Sequence, residues 1–213
     1  MNWIKKYRTP LGIFLVWLFH LSGLIGITVG HQEWFIQKTP LNLLVCALLF
    51  LWIYPMDTGK KWMVFGFVFI TGMFAEWLGA NHSLLFGSYD YGKNLGPKLD
   101  GVPFVIGINW ALLTFISAEI TSKFSKHIWF KALLGAALMV FLDFLMEQSA
   151  PVFDFWSFGK EVPLQNYITW YVLAYIFHLI FQKKRISGNY EFSLNLFLAQ
   201  STFFGYFMLF PLE

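Results

Sequence analysis

Asp143 and Glu147 stand four residues apart in Phe130–Ala150, a stretch otherwise made mainly of Leu, Ala, Phe, Met and Val. A third carboxylate, Glu76, interrupts a comparable run between Trp62 and Ala80. An ionisable side chain in hydrocarbon costs about 2.5–3.5 kcal/mol on insertion scales, so it is seldom kept there without a task. In apolar, aromatic surroundings a carboxylic acid is equipped for proton chemistry, because shielding from water keeps a proton available near neutral pH. Such an acid can protonate an alkene, and neighbouring Trp and Tyr faces can stabilise the cation. A second, ionised carboxylate can orient and deprotonate an attacking water. The sequence holds no nucleophile–base motif, Walker loop, dinucleotide fingerprint or metal-ligand spacing. The expected chemistry therefore uses no cofactor and no metal.

The elements that carry these acids must be membrane helices. The 213 residues are 57% hydrophobic and 21% aromatic with only 13% charged, against about 25% charged in soluble domains. The composition predicts one all-α integral membrane domain over residues 1–213, a polytopic helical bundle. The formal charge of +3 follows the membrane topology and points to no nucleic acid. Cys46 is the single cysteine, which excludes a disulfide framework and a Cys metal site. Five scattered His exclude dense His boxes. Lys5, Lys6 and Arg8 precede an apolar run in the manner of a signal peptide. The run from Leu11 to Val29 is too long for that and lacks a cleavage motif, so it reads as the first span.

Seven segments approach the roughly 20 apolar residues a spanning helix needs: 11–30, 40–55, 61–80, 103–121, 129–149, 164–182 and 192–211. With the N-terminus cytoplasmic, eleven of the fifteen Lys and Arg fall on the inner side, in the clusters around residues 5–8, 60–61, 123–131 and 183–185. Lys38, Lys93, Lys98 and Lys160 fall outside. This asymmetry predicts seven transmembrane helices, N-in and C-out, in a bacterial inner membrane with the C-terminus periplasmic. Two outer connections, about 81–102 and 150–163, are long and rich in Gly, Pro, aromatics and Asp. Ordered connections of that length tend to carry function.

At 1.5 Å per residue, Glu76 lies about 9 Å, Asp143 about 6 Å and Glu147 about 12 Å beyond the middle of its helix on the outer side. Asn109 and Asn166 fall in the same half, so five polar groups from four helices share one slab beneath the two loops. Gly135, Met139, Asp143 and Glu147 share a helix face, as do Gly72, Glu76, Gly79 and Ala80. Depth pairs Asp143 with Glu76 across helices and leaves Glu147 at the rim, where a solvated acid is ordinary. His20 reads as a hydrogen-bonded interior group, His178 as a residue towards the basic inner side, Glu119 as a helix-end acid, and Asp90, Lys93 and Asp100 as solvated loop charges. Small residues allow close helix approach or leave room for a ligand.

Local motifs add specificity. Glu76-Trp77-Leu78-Gly79 leads to Phe86-Gly87-Ser88-Tyr89-Asp90-Tyr91, then Leu95-Gly96-Pro97-Lys98-Leu99 and Gly101-Val102-Pro103, with Asn109-Trp110 following. Asp143 to Glu147 precedes Pro151 and Trp156, and Pro163-Leu164-Gln165-Asn166 opens the next helix. Over residues 70–172 this pattern resembles the carotenoid biosynthesis membrane proteins that include hydratases of acyclic ψ-ends. Phe158 stands where that pattern has a second Trp, and Val162 where Ile is commoner.

The resemblance implies hydration of the terminal isopropylidene double bond of a carotene such as γ-carotene, lycopene or a C50 relative, giving a tertiary alcohol. The enzyme would be a cofactor-independent hydro-lyase taking a lipophilic carotenoid from the bilayer. Glu76 and Asp143 are the expected proton donor and base, in either order. Asn109 and Asn166 would hold water, with Glu147 and Asp90 as further polar candidates. Tyr89, Tyr91, Trp110 and Trp156 would line the cation pocket, and Gly87, Gly96 and Pro97 would shape the lid. A carotene cyclase would use the same protonation but quench the cation internally. A proton-coupled transporter or a lipid-binding scaffold would use the buried acids without turnover. The odd span count and the lack of an inverted repeat speak against the transporter.

Overall fold

The computed structural model describes residues 2–212, with side chains from residue 7 onward; the Lys5 and Lys6 side chains lie outside the described residues. Seven long helices follow in order: α1 (Asn2–Gly26), α3 (Thr39–Ile53), α4 (Gly59–His82), α5 (Phe104–Thr121), α6 (Ile128–Glu147), α7 (Leu164–Lys183) and α8 (Tyr190–Leu209). The short α2 (Gln32–Ile36) is joined to α1 by one π-helical turn, Ile27–His31. The turn breaks at Gly30, whose φ of 97° is open to glycine and strained for other residues. Extended Pro103 and Pro163 immediately precede α5 and α7. The side chain of Asn189 caps α8 by accepting from Phe192 N at 3.0 Å.

Five stretches are long and apolar enough to cross a membrane: Tyr7–Ile36, α4, α5, α6 and α8. The chain is a membrane protein on that ground. Of the two other expected spans, α3 has 15 residues, and α7 is diluted by Gln165, Asn166, His178 and Gln182. α5 is apolar around its whole circumference and is buried along most of its length, as such helices are. It packs against α4, α6 and α8, while α6 pairs with α7 and α1 with α8.

The two long connections contain short strands, a departure from the all-helical expectation. β1 (Tyr89–Tyr91) pairs antiparallel with β4 (Trp156–Phe158), setting Tyr89 opposite Phe158 and Tyr91 opposite Trp156. β2 (Lys98–Leu99) and β3 (Val102–Pro103) form a second small ladder. Gly92 N and Asn94 N extend the first pairing to the carbonyls of Phe155 (2.9 Å) and Asp154 (3.2 Å). The loops are therefore joined into one cover over one end of the bundle. Gly87 and Gly96 adopt positive φ, 99° and 79°. Asp100 is tied down, accepting from Trp77 Nε1 at 2.6 Å.

Candidate active site

Glu76 lies on the α4 face that carries Gly72 and Gly79, and these glycines are occupied by aromatic rings. A Cβ on Gly72 would stand 2.9 Å from Trp110 Cγ, and one on Gly79 would stand 2.8 Å from the Tyr89 hydroxyl. Both rings use the space to reach the carboxyl group between them. Trp110 Nε1 donates to Glu76 Oε1 at 2.8 Å. Tyr89 and Tyr91 donate from their hydroxyls to Oε2 at 2.5 Å and 2.8 Å. Three donors thus hold a side chain that is 4% exposed. Burial first, and then the neighbouring Glu76, push the Tyr89 and Tyr91 phenols above the usual tyrosine range, so both remain donors.

The second acid cluster is on α6. Asn166, from the first turn of α7, donates through one nitrogen to Asp143 Oδ2 and to Glu147 Oε1, each at 3.2 Å. Trp156 Nε1, on β4, donates to Glu147 Oε2 at 2.9 Å. Among the six carboxyl oxygens of Glu76, Asp143 and Glu147, only Asp143 Oδ1 accepts no hydrogen bond from the described residues.

All three acids line one cavity together with Asn109, Asn166, Tyr89, Tyr91 and Trp156. Its walls are completed by apolar groups, among them Leu43, Ile106, Met146, Phe155, Phe158 and Phe204. Among the described residues, no Lys or Arg side chain lines it. The volume open to the centre of a water molecule is about 60 Å³. One water needs roughly 10–15 Å³ on that measure, so the space suits a few waters or a small branched alkyl end with a water beside it.

Glu147, Trp110 and Gln200 differ from expectation, while Asp90 follows its reading as a solvated loop charge rather than as a site candidate. Glu147 is not at a rim: it is 6% exposed and shares Asn166 with Asp143. Trp110 does not line the cavity. It sits behind Glu76, fully buried, stacked on Trp170 with ring centroids 3.7 Å apart. Asp90 is exposed, since strand alternation turns it away from the side shared by Tyr89 and Tyr91. Gln200 on α8 was not foreseen. It lines the cavity, and its Oε1 is buried without a partner among the described residues. A lone amide within an apolar span is the signal that marks it.

The histidines lie elsewhere. His178 Nδ1 meets Ala174 O at 2.7 Å and Nε2 meets Ser117 Oγ at 2.8 Å, fully buried between α5 and α7. Its ring fills the space left by Gly135. His20 meets Val16 O through Nδ1 at 2.8 Å and borders a different, larger cavity.

No curated protein and no solved structure matches the chain. A family model of carotenoid biosynthesis proteins matches residues 38–210, about four fifths of the chain and all of the site, and the chain belongs to that family.

Proposed function

We propose that the protein is a carotenoid hydratase that adds water across the terminal isopropylidene double bond of an acyclic carotene end. The observation that carries this reading is Asp143 Oδ1, to which no described residue donates, on a side chain that lines a small cavity where the other acid oxygens are already held. Asp143 gives its proton to the less substituted alkene carbon. The π electrons form the new C–H bond, and the positive charge stays on the tertiary carbon. Glu76, fixed by three donors, and the faces of Tyr89 and Tyr91 stabilise that cation. Water between the Asn109 amide and Gln200 Oε1 attacks the tertiary carbon. The Asp143 carboxylate takes the proton released, which regenerates the acid and leaves a tertiary alcohol.

The three acids face one another in a single cavity. Glu147 and Asn166 then orient Asp143 without touching substrate. The reading extends to topology: all seven long helices cross a bacterial inner membrane, N-in and C-out, and the site lies in the outer half beneath the paired loops.

Purified Asp143→Asn and Glu76→Gln, in lipid nanodiscs with lycopene, test the assignment by mass analysis of the pigment. Asp143→Asn is expected to lower the hydration rate about 10²–10⁴-fold, the usual contribution of a general acid, while Glu76→Gln retains more activity. Wild-type rates for Asp143→Asn would refute the role given to it. Products isomeric with the substrate, with no added water, would make the enzyme a cyclase.

A further inference from the structure

The acid cavity is too small for a long polyene, so a substrate with one end in it must lie somewhere else along its length. A second cavity adjoins it, between α1, the α2 turn, the start of α3 and α8. The volume open to a water centre there is about 450 Å³, several times that of the acid cavity. Thr39, at the start of α3, borders both. The partition beside it is aromatic. Phe204 and Phe155 face the acid cavity, Phe203 and Phe153 face the second one, and the rings touch in pairs at 5.1 Å and 5.3 Å.

The walls of the second cavity are mainly apolar, and its outer margin carries Leu18, Phe19, Trp34 and Leu41, each exposed on the flank of the bundle. Exposed residues of that kind on a membrane helix face lipid. Phe35 closes the space from the α2 side by packing onto Gly26, next to the π turn and Gly30. The end of the bundle, in contrast, is shut by the β1–β4 pairing.

From this arrangement we infer that the second cavity holds the isoprenoid chain of the substrate, which enters from the bilayer between α1 and α2 and passes Thr39 to present its end to Asp143. The inference rests on the proposed reaction for its direction, but the binding of a polyene can be measured without turnover. A mainly apolar cavity beside the acid cavity, with Lys38, His20 and Asn42 as its main polar lining, fits a linear hydrocarbon better than a bulky polar solute.

The test is induced circular dichroism of lycopene, an achiral polyene that gains a signal in its visible band only in a chiral site. Wild type and Asp143→Asn in nanodiscs are expected to show the signal. Gly23→Trp and Ser22→Phe each fill the second cavity, since both positions line it. They should weaken lycopene binding at least roughly ten-fold. Both should still hydrate a short acyclic alkene with the same terminal double bond. Melting temperature identifies a variant that fails to fold, and the other then decides. Unchanged lycopene binding by a folded filler variant, or no signal from wild type, would overturn the inference. A normal lycopene signal with no hydration by wild type would overturn the proposed reaction and leave the polyene site standing.

Discussion

Gly79→Ala is the most informative single perturbation of this site, because it acts on Glu76 without touching it. The added Cβ would lie 2.8 Å from Phe86 Cδ2 and 2.8 Å from the Tyr89 hydroxyl, where ordinary contact begins near 3.4 Å, so the rings must retreat by about 0.6 Å. Phe86 is 1% exposed and tilted against Trp170, which leaves it little room. The shift therefore falls on Tyr89, whose hydroxyl now stands 2.5 Å from Glu76 Oε2. A hydrogen bond to a charged group contributes about 1.5–3 kcal/mol, equivalent to roughly 10–150-fold in rate if it acts fully in the transition state. The assay is the initial hydration rate at limiting lycopene for Gly79→Ala, Tyr89→Phe and the double variant. If the glycine works through the tyrosine, the double variant matches Tyr89→Phe. Losses that multiply would refute the reasoning and make Gly79 a packing position only.

Two further outcomes follow from contacts near the site. Glu147→Gln sets an amide nitrogen against Trp156 Nε1 or Asn166 Nδ2, both donors, at a cost of about 1–3 kcal/mol for the buried group left unpaired. Limited proteolysis should then cut residues 150–163 faster, as it should in Trp156→Phe; equal cleavage to wild type would show that the cover does not depend on this bond. Gly135→Ala forces the His178 ring from its slot, an overpacking worth about 1–3 kcal/mol. A melting temperature equal to wild type would show that α6 and α7 can separate freely there.

What the sequence made legible was governed by local periodicity. The helical repeat put Glu76 between Gly72 and Gly79, and that face is where the site forms. The repeat could not name the rings that fill the glycines, because Tyr89 arrives from a loop and Trp110 from another helix. The Tyr-Asp-Tyr alternation at 89–91 already separated Asp90 from its neighbours, once the segment is taken as a strand. That strand was hard to see: three residues paired with three others more than sixty positions away have no local signature. Glu147 was misplaced for the same reason. Its position near the end of α6 suits a solvated acid, but Trp156 from β4 and Asn166 from α7 both donate to it.

These contacts also bear on how a carotene would reach the site in the proposed reaction. The two hydroxyls on Glu76 come from β1, and the indole on Glu147 comes from β4. Separating the strands to admit a carotene from above would strip donors from both acids at once and expose them to water. The carotene proposed as substrate would gain nothing from that route, since it would already reside in the bilayer. A lateral path past Thr39 leaves the β1–β4 cover paired and Glu76 held while the alkene approaches Asp143. Preorganisation of this kind is most effective when donors need not move during the reaction. On the proposed reading, the pairing of the loops and the lateral cavity are two halves of one arrangement: the cover could stay closed because the substrate would come in from the side.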